Sequence, residues 1–167
     1  KLNNTITMKK TFFSLVFAAL VAATLTTNAQ SFQKGDKLLN AGIGLRSFWI
    51  PIGGTLEYGI TDQISVGPSV YFAKWSTFDG TTLYLSARGS YHFNELLKIN
   101  NDKLDVYAGA GVGYQSWSYK GLAGSYASGI YIPFHIGGRY YFSEKFGAHA
   151  EVGGGVATLL AGITLKF

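Results

Sequence analysis

Cysteine is absent from the sequence. Its absence excludes disulfides, zinc sites built from thiolates and a lipid-modified N-terminal cysteine. Long apolar runs are also missing: beyond residue 29, no continuous apolar stretch reaches the ~20 residues that a helix needs to span a bilayer. A disulfide-stapled scaffold and a bundle of membrane-spanning helices are therefore both excluded for residues 30–167.

A strong positive charge is missing from the same part of the chain. Three of the fourteen basic residues (Lys1, Lys9 and Lys10) precede residue 30, and all nine acidic residues follow it. The formal net charge of residues 30–167 is therefore 11 − 9 = +2, compared with +5 for the whole chain. This small excess gives no reason to expect a nucleic acid as a partner.

Glycine and aromatic residues are abundant instead. All 22 glycines lie beyond residue 29, and the chain contains 11 Tyr and 12 Phe. A composition rich in glycine and aromatics without cysteine indicates many short strands. The 138 residues from Gln30 to Phe167 suit a single domain.

The N-terminal part of the chain has the pattern of a secretory signal peptide. A short basic segment, Met8 to Lys10, precedes an apolar run from Phe12 to Leu25. Small residues then stand at the positions that signal peptidase reads, so we expect cleavage after Ala29. Lys1 to Thr7 precede the expected start residue Met8. The predicted division is an N-terminal extension and signal peptide, 1–29, and one mature domain, 30–167.

Alternation of apolar and polar residues divides the mature chain into eight segments. Their lengths are near the ~9–11 residues of a tilted membrane-spanning strand. They predict an all-β fold, an eight-stranded antiparallel up-and-down transmembrane β-barrel. The predicted strands are 38–47, 51–60, 63–73, 82–93, 103–116, 129–142, 146–156 and 159–167.

The connections between these segments alternate in kind. Residues 59–62 (GITD) and 143–145 form tight turns, and residues 94–102 form a longer polar turn. With the N-terminus on the inner side, these turns are predicted to be periplasmic, and the other connections extracellular. The predicted extracellular connections are 48–50, 74–81, 117–128 and 157–158.

Charged residues fall on one face of the predicted strands. When the outward face of each strand is chosen by its apolar residues, seven charged residues lie on the opposite face. A lipid-facing Arg or Lys costs roughly 2–4 kcal/mol at the bilayer midplane, which explains the segregation. With three histidines, the inward polar network, predicted to be structural, is Arg46, Glu57, Arg88, His92, Asp105, His135, Arg139, His149, Glu151 and Lys166.

Outward aromatic residues form two bands near the ends of the strands. Such bands are expected at the two membrane–water boundaries. The predicted periplasmic band is Tyr58, Tyr91, Phe93, Tyr140, Phe142, Phe146 and Phe167, and the extracellular band is Phe48, Trp49, Phe72 and Tyr114. Val156, at the end of the seventh segment, is also placed outward.

The last strand ends on an aromatic residue. Gly162, Leu165 and Phe167 match the C-terminal signal by which outer-membrane barrels are recognised for insertion. Leu160 stands where that signal usually has a polar residue. We therefore predict that these last residues act as the insertion signal.

Several segments together resemble one family. They are the Ala29-Gln30 cleavage region, the opening strand GDKLLNAGIGL at 35–45, the hairpin LEYGITDQISVG at 56–67 and the ending ITLKF. The mature chain is similar to the small outer-membrane β-barrel proteins of the OmpA/OmpX type. The resemblance implies a location in the outer membrane of a Gram-negative bacterium. It also implies outer-membrane lipids, the barrel-insertion machinery and periplasmic chaperones as partners, and a monomer. Activity is not implied, because this fold hosts adhesins, anchors, small pores and a few enzymes.

Signals for catalysis or for a cofactor are weak. GAGVGY at 109–114 lacks the strand–turn–helix context of a phosphate-binding loop. We expect Gly109, Gly111 and Gly113 to make room for large lumen side chains. His149 and Glu151 could form a base and its orienting acid, but no serine follows the His-x-Ser pattern of lipid A deacylases. The three histidines lack ligand spacing. We therefore expect no enzyme, no cofactor and no metal site.

The inward charges are instead expected to plug the lumen. The interior of an eight-stranded barrel is just wide enough for side chains to fill, and buried charges need partners. Counting from the turns places Arg139 diagonal to Glu151 and Asp105 close to His92.

Three functions are compatible with these features. The first is a structural or surface-interaction barrel, whose polar aromatic loop 117–128 contacts an extracellular ligand. The second is a porin-like channel for small solutes or ions, and the third is a lipid-modifying enzyme. A soluble binder of apolar ligands would need an apolar lumen, which the inward charges exclude.

Overall fold

The computed structural model describes residues 31–47, 49–75, 80–119 and 128–167. The predicted signal peptide with its cleavage site, Phe48 and most of the predicted loop 117–128 lie outside the described residues. The strands are β1 (Lys37–Leu45), β2 (Ile52–Gly59), β3 (Ile64–Trp75), β4 (Gly80–His92), β5 (Leu104–Tyr119), β6 (Gly129–Tyr131), β7 (Phe134–Tyr141), β8 (Phe146–Gly154) and β9 (Leu159–Lys166).

These strands form one closed antiparallel sheet. Neighbours in the sequence pair with one another, and β1 pairs with β9 from Leu38↔Lys166 to Leu45↔Leu159. β6 and β7 both pair with β5, so they share one position in the barrel. The pairing of β4 with β5 completes the ring, so the predicted eight-stranded up-and-down barrel is confirmed.

The predicted strand 129–142 is interrupted at Ile132 and Pro133. Proline has no N–H and cannot donate to a ladder. The backbone nevertheless stays in place, because Gly111 N–H donates to Pro133 O over 2.9 Å. β6 and β7 are thus one strand with a local break, and the predicted continuous strand is wrong at this point.

The barrel has two ends, which we name by their connections. The turn end carries residues 60–63, 93–103 and 142–145, and the loop end carries residues 155–158 together with the strand ends Leu45, Trp75, Gly80 and Tyr119. The strands β3, β4 and β5 extend two to three residues further at the loop end than predicted. Trp75 of β3 pairs with Gly80 of β4, and Gly80 pairs with Tyr119 of β5. Backbone pairing continues beyond the point where apolar alternation stops, and the sequence pattern therefore underestimates their length.

Exposure alternates along the strands. In β2, Ile52, Leu56 and Tyr58 are about half exposed, whereas Thr55 and Glu57 are buried. The other strands repeat this pattern, so that the outer surface carries the large apolar side chains and the inner surface carries the polar ones. The predicted assignment of the two faces is confirmed. Among the described residues, no helix is both long and apolar enough to cross a bilayer.

An aromatic band surrounds the turn end. Tyr91 packs edge-on against Phe93 at 4.9 Å between ring centroids, and Tyr140 packs against Phe142 at 5.7 Å. Phe146 continues the band from Phe142 at 5.8 Å. These rings lie together near the turn end, where the sequence predicted an aromatic band.

The interior of the loop end is apolar. Tyr71, Ala73, Tyr84, Val156, Ala157 and Leu160 form a buried cluster, with Trp49 and Tyr131 packed against it. We call these residues the loop-end core.

Val156 and Trp49 lie on the inside, and their outward predictions are wrong. β8 ends at Gly154, and Gly155, with φ +97°, turns the chain into the barrel, so that Val156 is only 8% exposed. Trp49 lies in the connection between β1 and β2 and meets Trp117 edge-on at 5.8 Å. Strand alternation does not govern residues outside strands, so it could not orient these two side chains.

The segment 31–36 closes the turn end. Gly35 N–H donates to Gly59 O, and Gly59 N–H donates to Asp36 O. These bonds hold the segment across the mouth of the barrel. Phe32 is buried there and stacks on the ring of His92 at 3.5 Å with nearly parallel planes.

The lumen as candidate functional site

Arg139 of β7 lies at the centre of the lumen and is 1% exposed. Its Nη1 donates to Asp105 Oδ2 over 2.7 Å, and its Nη2 donates to Glu57 Oε1 over 3.1 Å. Its Cζ lies 4.6 Å from the centre of the Tyr107 ring. One guanidinium therefore joins carboxylates from β5 and from β2, on different sides of the barrel.

The network continues from Glu57 to the strands that close the barrel. Asn40 Nδ2 donates to Glu57 Oε1 over 2.6 Å, and Thr164 Oγ1 donates to Asn40 Oδ1 over 2.7 Å. Thr164 Oγ1 also lies 3.2 Å from His149 Nδ1. Hydrogen bonds thus link β2, β1, β9 and β8 in the same order in which their backbones pair.

Ser65, His92 and Asp105 form a chain like that of a serine hydrolase. His92 Nδ1 lies 2.8 Å from Asp105 Oδ1, and His92 Nε2 lies 3.1 Å from Ser65 Oγ. Sequence reasoning missed Ser65, although its inward position two residues from His92 in the β3–β4 register could have revealed it. Such a triad is recognised by geometry rather than by sequence order.

The surroundings of Ser65 differ from those of a nucleophile. The Ser65 hydroxyl donates to Glu57 Oε2 over 3.0 Å, so its single proton is engaged with a carboxylate. Ser65 has no exposed surface, and Phe32 covers the ring of His92. A substrate carbonyl has no route to this hydroxyl while segment 31–36 is in place.

A second cluster lies nearer the loop end. Arg88 forms a two-pronged ion pair with Glu151, with Nη2 to Oε1 at 2.7 Å and Nη1 to Oε2 at 3.1 Å. Tyr107 O–H donates to Glu151 Oε1 over 2.9 Å. Paired hydrogen bonds of this kind are among the stronger ion pairs in proteins. Beside them, Ser90 Oγ lies 2.9 Å from His135 Nε2.

The predicted contact between Arg139 and Glu151 is wrong, whereas the predicted contact between Asp105 and His92 is confirmed. The predicted backbone position is correct, since Glu151 is diagonal to Arg139 in the β7–β8 ladder. The lumen is so narrow, however, that both long side chains reach across it to other strands. Counting residues from a turn finds only partners on adjacent strands.

Two further cations lie near the ends of the lumen. Lys166 Nζ is 2.8 Å from Asp36 Oδ2 at the turn end, and Arg46 Cζ lies 5.6 Å from the Trp49 ring at the loop end. Asp36 was absent from the predicted network because it precedes the first predicted strand. With it, the lumen residues comprise four basic and four acidic side chains, so their formal charges balance.

The space left between these side chains is small. A cavity of about 30 Å³ lies between the Arg88–Glu151 pair and the loop-end core. That volume is roughly the share of one water molecule in the liquid. Its polar lining includes Ser69, Ser86 and His135. Within the described part of the chain, no group of three or more His, Asp or Glu residues could hold a metal ion.

Comparison with known proteins gives a consistent result for the fold. No protein-family model matches the chain, and no curated protein matches it. The crystal structure of the N-terminal β-barrel domain of Pseudomonas aeruginosa OprF matches with a TM-score of 0.58 and 22% identity, covering 80% of this chain and 98% of that one. The fold is that of a small eight-stranded outer-membrane β-barrel. A de novo designed transmembrane β-barrel also matches, with a TM-score of 0.57 and 15% identity, over 83% of this chain and all of the design.

Glycines of the barrel create part of the space for the lumen side chains. A Cβ at Gly109 would meet the ring of His135, and a Cβ at Gly113 would meet the ring of Tyr131. These two contacts agree with the predicted room for lumen side chains, but a Cβ would also clash with Gly89 O at Gly109 and with Leu85 O at Gly113, so close approach of β4 and β5 requires glycine there as well. At Gly111, the nearest atoms to a Cβ belong to the backbone of Ala87 and Arg88, so close approach of β4 and β5 is the reason there.

The residues of the predicted insertion signal lie on the last strand of the barrel. Gly162 stands opposite Gly42 and His149, and Leu165 stands opposite Leu39 and Phe146. Phe167 is exposed beside the turn end. Their role in insertion stays a prediction.

Proposed function

We propose that this protein is an integral β-barrel of the outer membrane of a Gram-negative bacterium, with a structural or surface-interaction role. One observation carries the proposal: the strands present large apolar side chains outward, while their carboxylates and guanidiniums pair inside. A soluble barrel would need the opposite distribution, because extensive exposed apolar surface causes association in water.

The orientation follows from the lengths of the connections and from the proposed secretion route. The turn end faces the periplasm, and the loop end faces the cell exterior. A signal peptide ending at Ala29 directs export, and periplasmic chaperones and the insertion machinery bring the barrel to the membrane. The barrel acts as a monomer, with outer-membrane lipids as its immediate neighbours and with no role for nucleic acid.

The proposed role depends on a lumen closed by side chains. The ion pairs of Arg139 and Arg88 cross the lumen at two heights, the loop-end core lies above them and Phe32 lies below. This arrangement supports an anchor that displays its outer loops. The polar aromatic segment 117–128, of which residues 120–127 lie outside the described residues, is the proposed contact for an extracellular ligand.

The location can be tested by cell fractionation and a heat-modifiability gel. We expect the protein in the outer-membrane fraction, with different mobility before and after boiling, because a folded barrel resists detergent. Recovery as a soluble monomer without detergent would overturn the proposal.

A channel for small ions is the second candidate function, and the cavity beside Arg88 and Glu151 favours it. Conductance in planar bilayers separates the two functions, since a closed lumen gives no stable single-channel steps. We expect no such steps from the wild-type barrel.

A lipid-modifying activity is the third candidate, and the arrangement of Ser65, His92 and Asp105 is the observation that favours it. We propose that the protein is not an enzyme, because the Ser65 hydroxyl is committed to Glu57 and is sealed from substrate. The mass of lipid A from cells with and without the gene tests this point. An unchanged mass is expected.

A further inference from the structure

The outer face of the barrel carries an apolar groove across β1 to β5. It consists of two adjoining depressions of about 790 Å³ and 230 Å³, which share Leu56 and Pro68. We call the two together the outer groove. Its floor includes small residues (Ala41, Gly54 and Ala87), and larger apolar side chains, such as Val70 and Leu85, line it beside them.

Pro68 accounts for a break in pairing at the floor of the groove. The β2–β3 register runs from Ile52↔Phe72 to Thr55↔Ser69 and resumes only at Tyr58↔Val66. Proline cannot donate to the ladder, so pairing lapses beside it. On the other side, Pro68 stays in register with Ala87 of β4. The depression is therefore built into the strands and does not depend on the rotamer of one side chain.

The length of the groove matches one leaflet of a bilayer. Along β2 it extends from Gly53 to Tyr58, which are five residues apart. At ~3.3 Å per residue this is about 17 Å along the strand, or about 13 Å along the membrane normal for a strand tilted by ~40°. Half of a ~30 Å hydrocarbon core is ~15 Å. On β2 the groove covers most of the strand, but on β3 it ends at Val70, about midway along Ile64–Trp75, so it reaches from the turn end to about the middle of the barrel wall.

The turn end of the groove carries a cation. Lys37 lines it, pairs with Tyr58 in the β1–β2 register and is exposed on the outward face. The nearby carboxylate of Glu57 points inward, where it accepts hydrogen bonds from Asn40 and Arg139. A lysine at this height can extend its ammonium group to the phosphate layer while its stem lies along apolar surface.

We propose that the outer groove is a binding site for one phospholipid of the periplasmic leaflet, with an acyl chain in the groove and the phosphate on Lys37. This inference rests on the membrane location proposed above. The outer groove complements both parts of a phospholipid, because its apolar surface, about one leaflet long, matches an acyl chain and the ammonium group of Lys37 matches the phosphate. A second copy of the chain has no such match, because the carboxylates of its strands pair inside its own lumen and leave no anion on its outer wall for Lys37.

Native mass spectrometry of the detergent-purified barrel, with palmitoyl-oleoyl phosphatidylglycerol as the probe, tests the site. We expect one retained lipid per wild-type barrel. Leucine at two groove alanines (Ala41→Leu with Ala87→Leu) should fill the groove and weaken retention by about tenfold or more, the ratio given by ~1.4 kcal/mol. Ala150→Leu is the matched control, since Ala150 is an exposed outward alanine outside the groove. It should leave retention unchanged.

The headgroup contact is tested separately. Lys37→Gln should weaken retention of phosphatidylglycerol but not of palmitoyl-oleoyl diacylglycerol, which lacks the phosphate. Equal retention by the groove variant and the Ala150→Leu control would overturn the proposal, as would a wild-type barrel that retains no lipid. Loss of a dimer in the groove variant would identify a second copy as the occupant and would also overturn it. Heat modifiability of each variant shows whether the barrel itself has folded, so failure of the membrane location is recognised independently.

Discussion

Arg139 and Asp105 stand directly opposite each other in the β5–β7 ladder, and Arg139 Nη1 lies 2.7 Å from Asp105 Oδ2. The same guanidinium also binds Glu57 from the opposite side of the lumen. The cation therefore compensates two buried carboxylates at once, and its loss should cost more than the loss of either acid.

Arg139→Gln is expected to destabilise the refolded barrel by roughly 3–5 kcal/mol, because it leaves buried carboxylates uncompensated. Urea unfolding measures the loss. Adding Asp105→Asn to this variant should recover part of it, which gives a coupling energy in a double-mutant cycle. The control cycle pairs Arg139→Gln with Glu151→Gln, whose side chain binds Arg88 instead. Strong coupling in the control cycle and none in the first would show that Arg139 pairs with Glu151 and not with Asp105.

Arg88→Ala should open the lumen near the 30 Å³ cavity, because Arg88 and Glu151 cross it there. We expect no conductance in planar bilayers from the wild type and none from Arg88→Ala alone, because the Arg139 network, the loop-end core and Phe32 still close the lumen at other heights. Lys98→Ala, in the turn 93–103 outside the strands, is the control. If the wild type conducts ions and Arg88→Ala does not change that conductance, the small-ion channel is favoured as the function.

Ala110→Arg should impair insertion, because Ala110 is exposed on the outward face near the middle of β5. The expected cost is about 2–4 kcal/mol for a guanidinium at the midplane. Ala110→Leu at the same position adds bulk without charge and should insert normally. Refolding yield in lipid vesicles compares the two, and equal yields would contradict the assignment of faces.

Phe32→Ala should loosen the closure of the turn end. Phe32 is buried and stacks on His92, and full burial of such a side chain contributes about 1.5–3 kcal/mol. Stability in urea should fall by about that amount, and the NMR signals of the His92 ring should shift as the covering ring is lost. Gln33→Ala, at the exposed neighbour, is the control. Unchanged His92 signals in Phe32→Ala would mean that the segment does not close the mouth in solution.

The architecture was readable from the sequence because its signal is local. Side chains alternate between the two faces of a strand with a period of two, so Glu57 and Tyr58 must point in opposite directions. In the proposed membrane location, lipid then enforces the choice, since charge on the outer face is costly. The number of strands, the identity of the faces and the aromatic band at the turn end all follow from this rule, and the structure agrees with each.

The rule weakens wherever the chain leaves a strand or a strand breaks. Val156 and Trp49 lie in connections, where the period of two no longer applies, and both pack inward. Asp36 and Phe32 precede the first strand, and only folding brings them to the mouth of the lumen. Pro133 was visible in the sequence, but its effect depended on how neighbouring strands accommodate it.

The sequence by itself determined which strand residues face the lumen and that Asp105 lies beside His92, whereas the tertiary structure decided the pairs that reach across the lumen. Inward orientation depends on backbone geometry over two residues. Partner choice depends on closing the sheet, which brings β2 and β7 near each other across a lumen narrow enough for one guanidinium to span. For that reason Arg139 meets Glu57, 82 positions away in the chain, while Glu151, its diagonal neighbour on β8, binds Arg88.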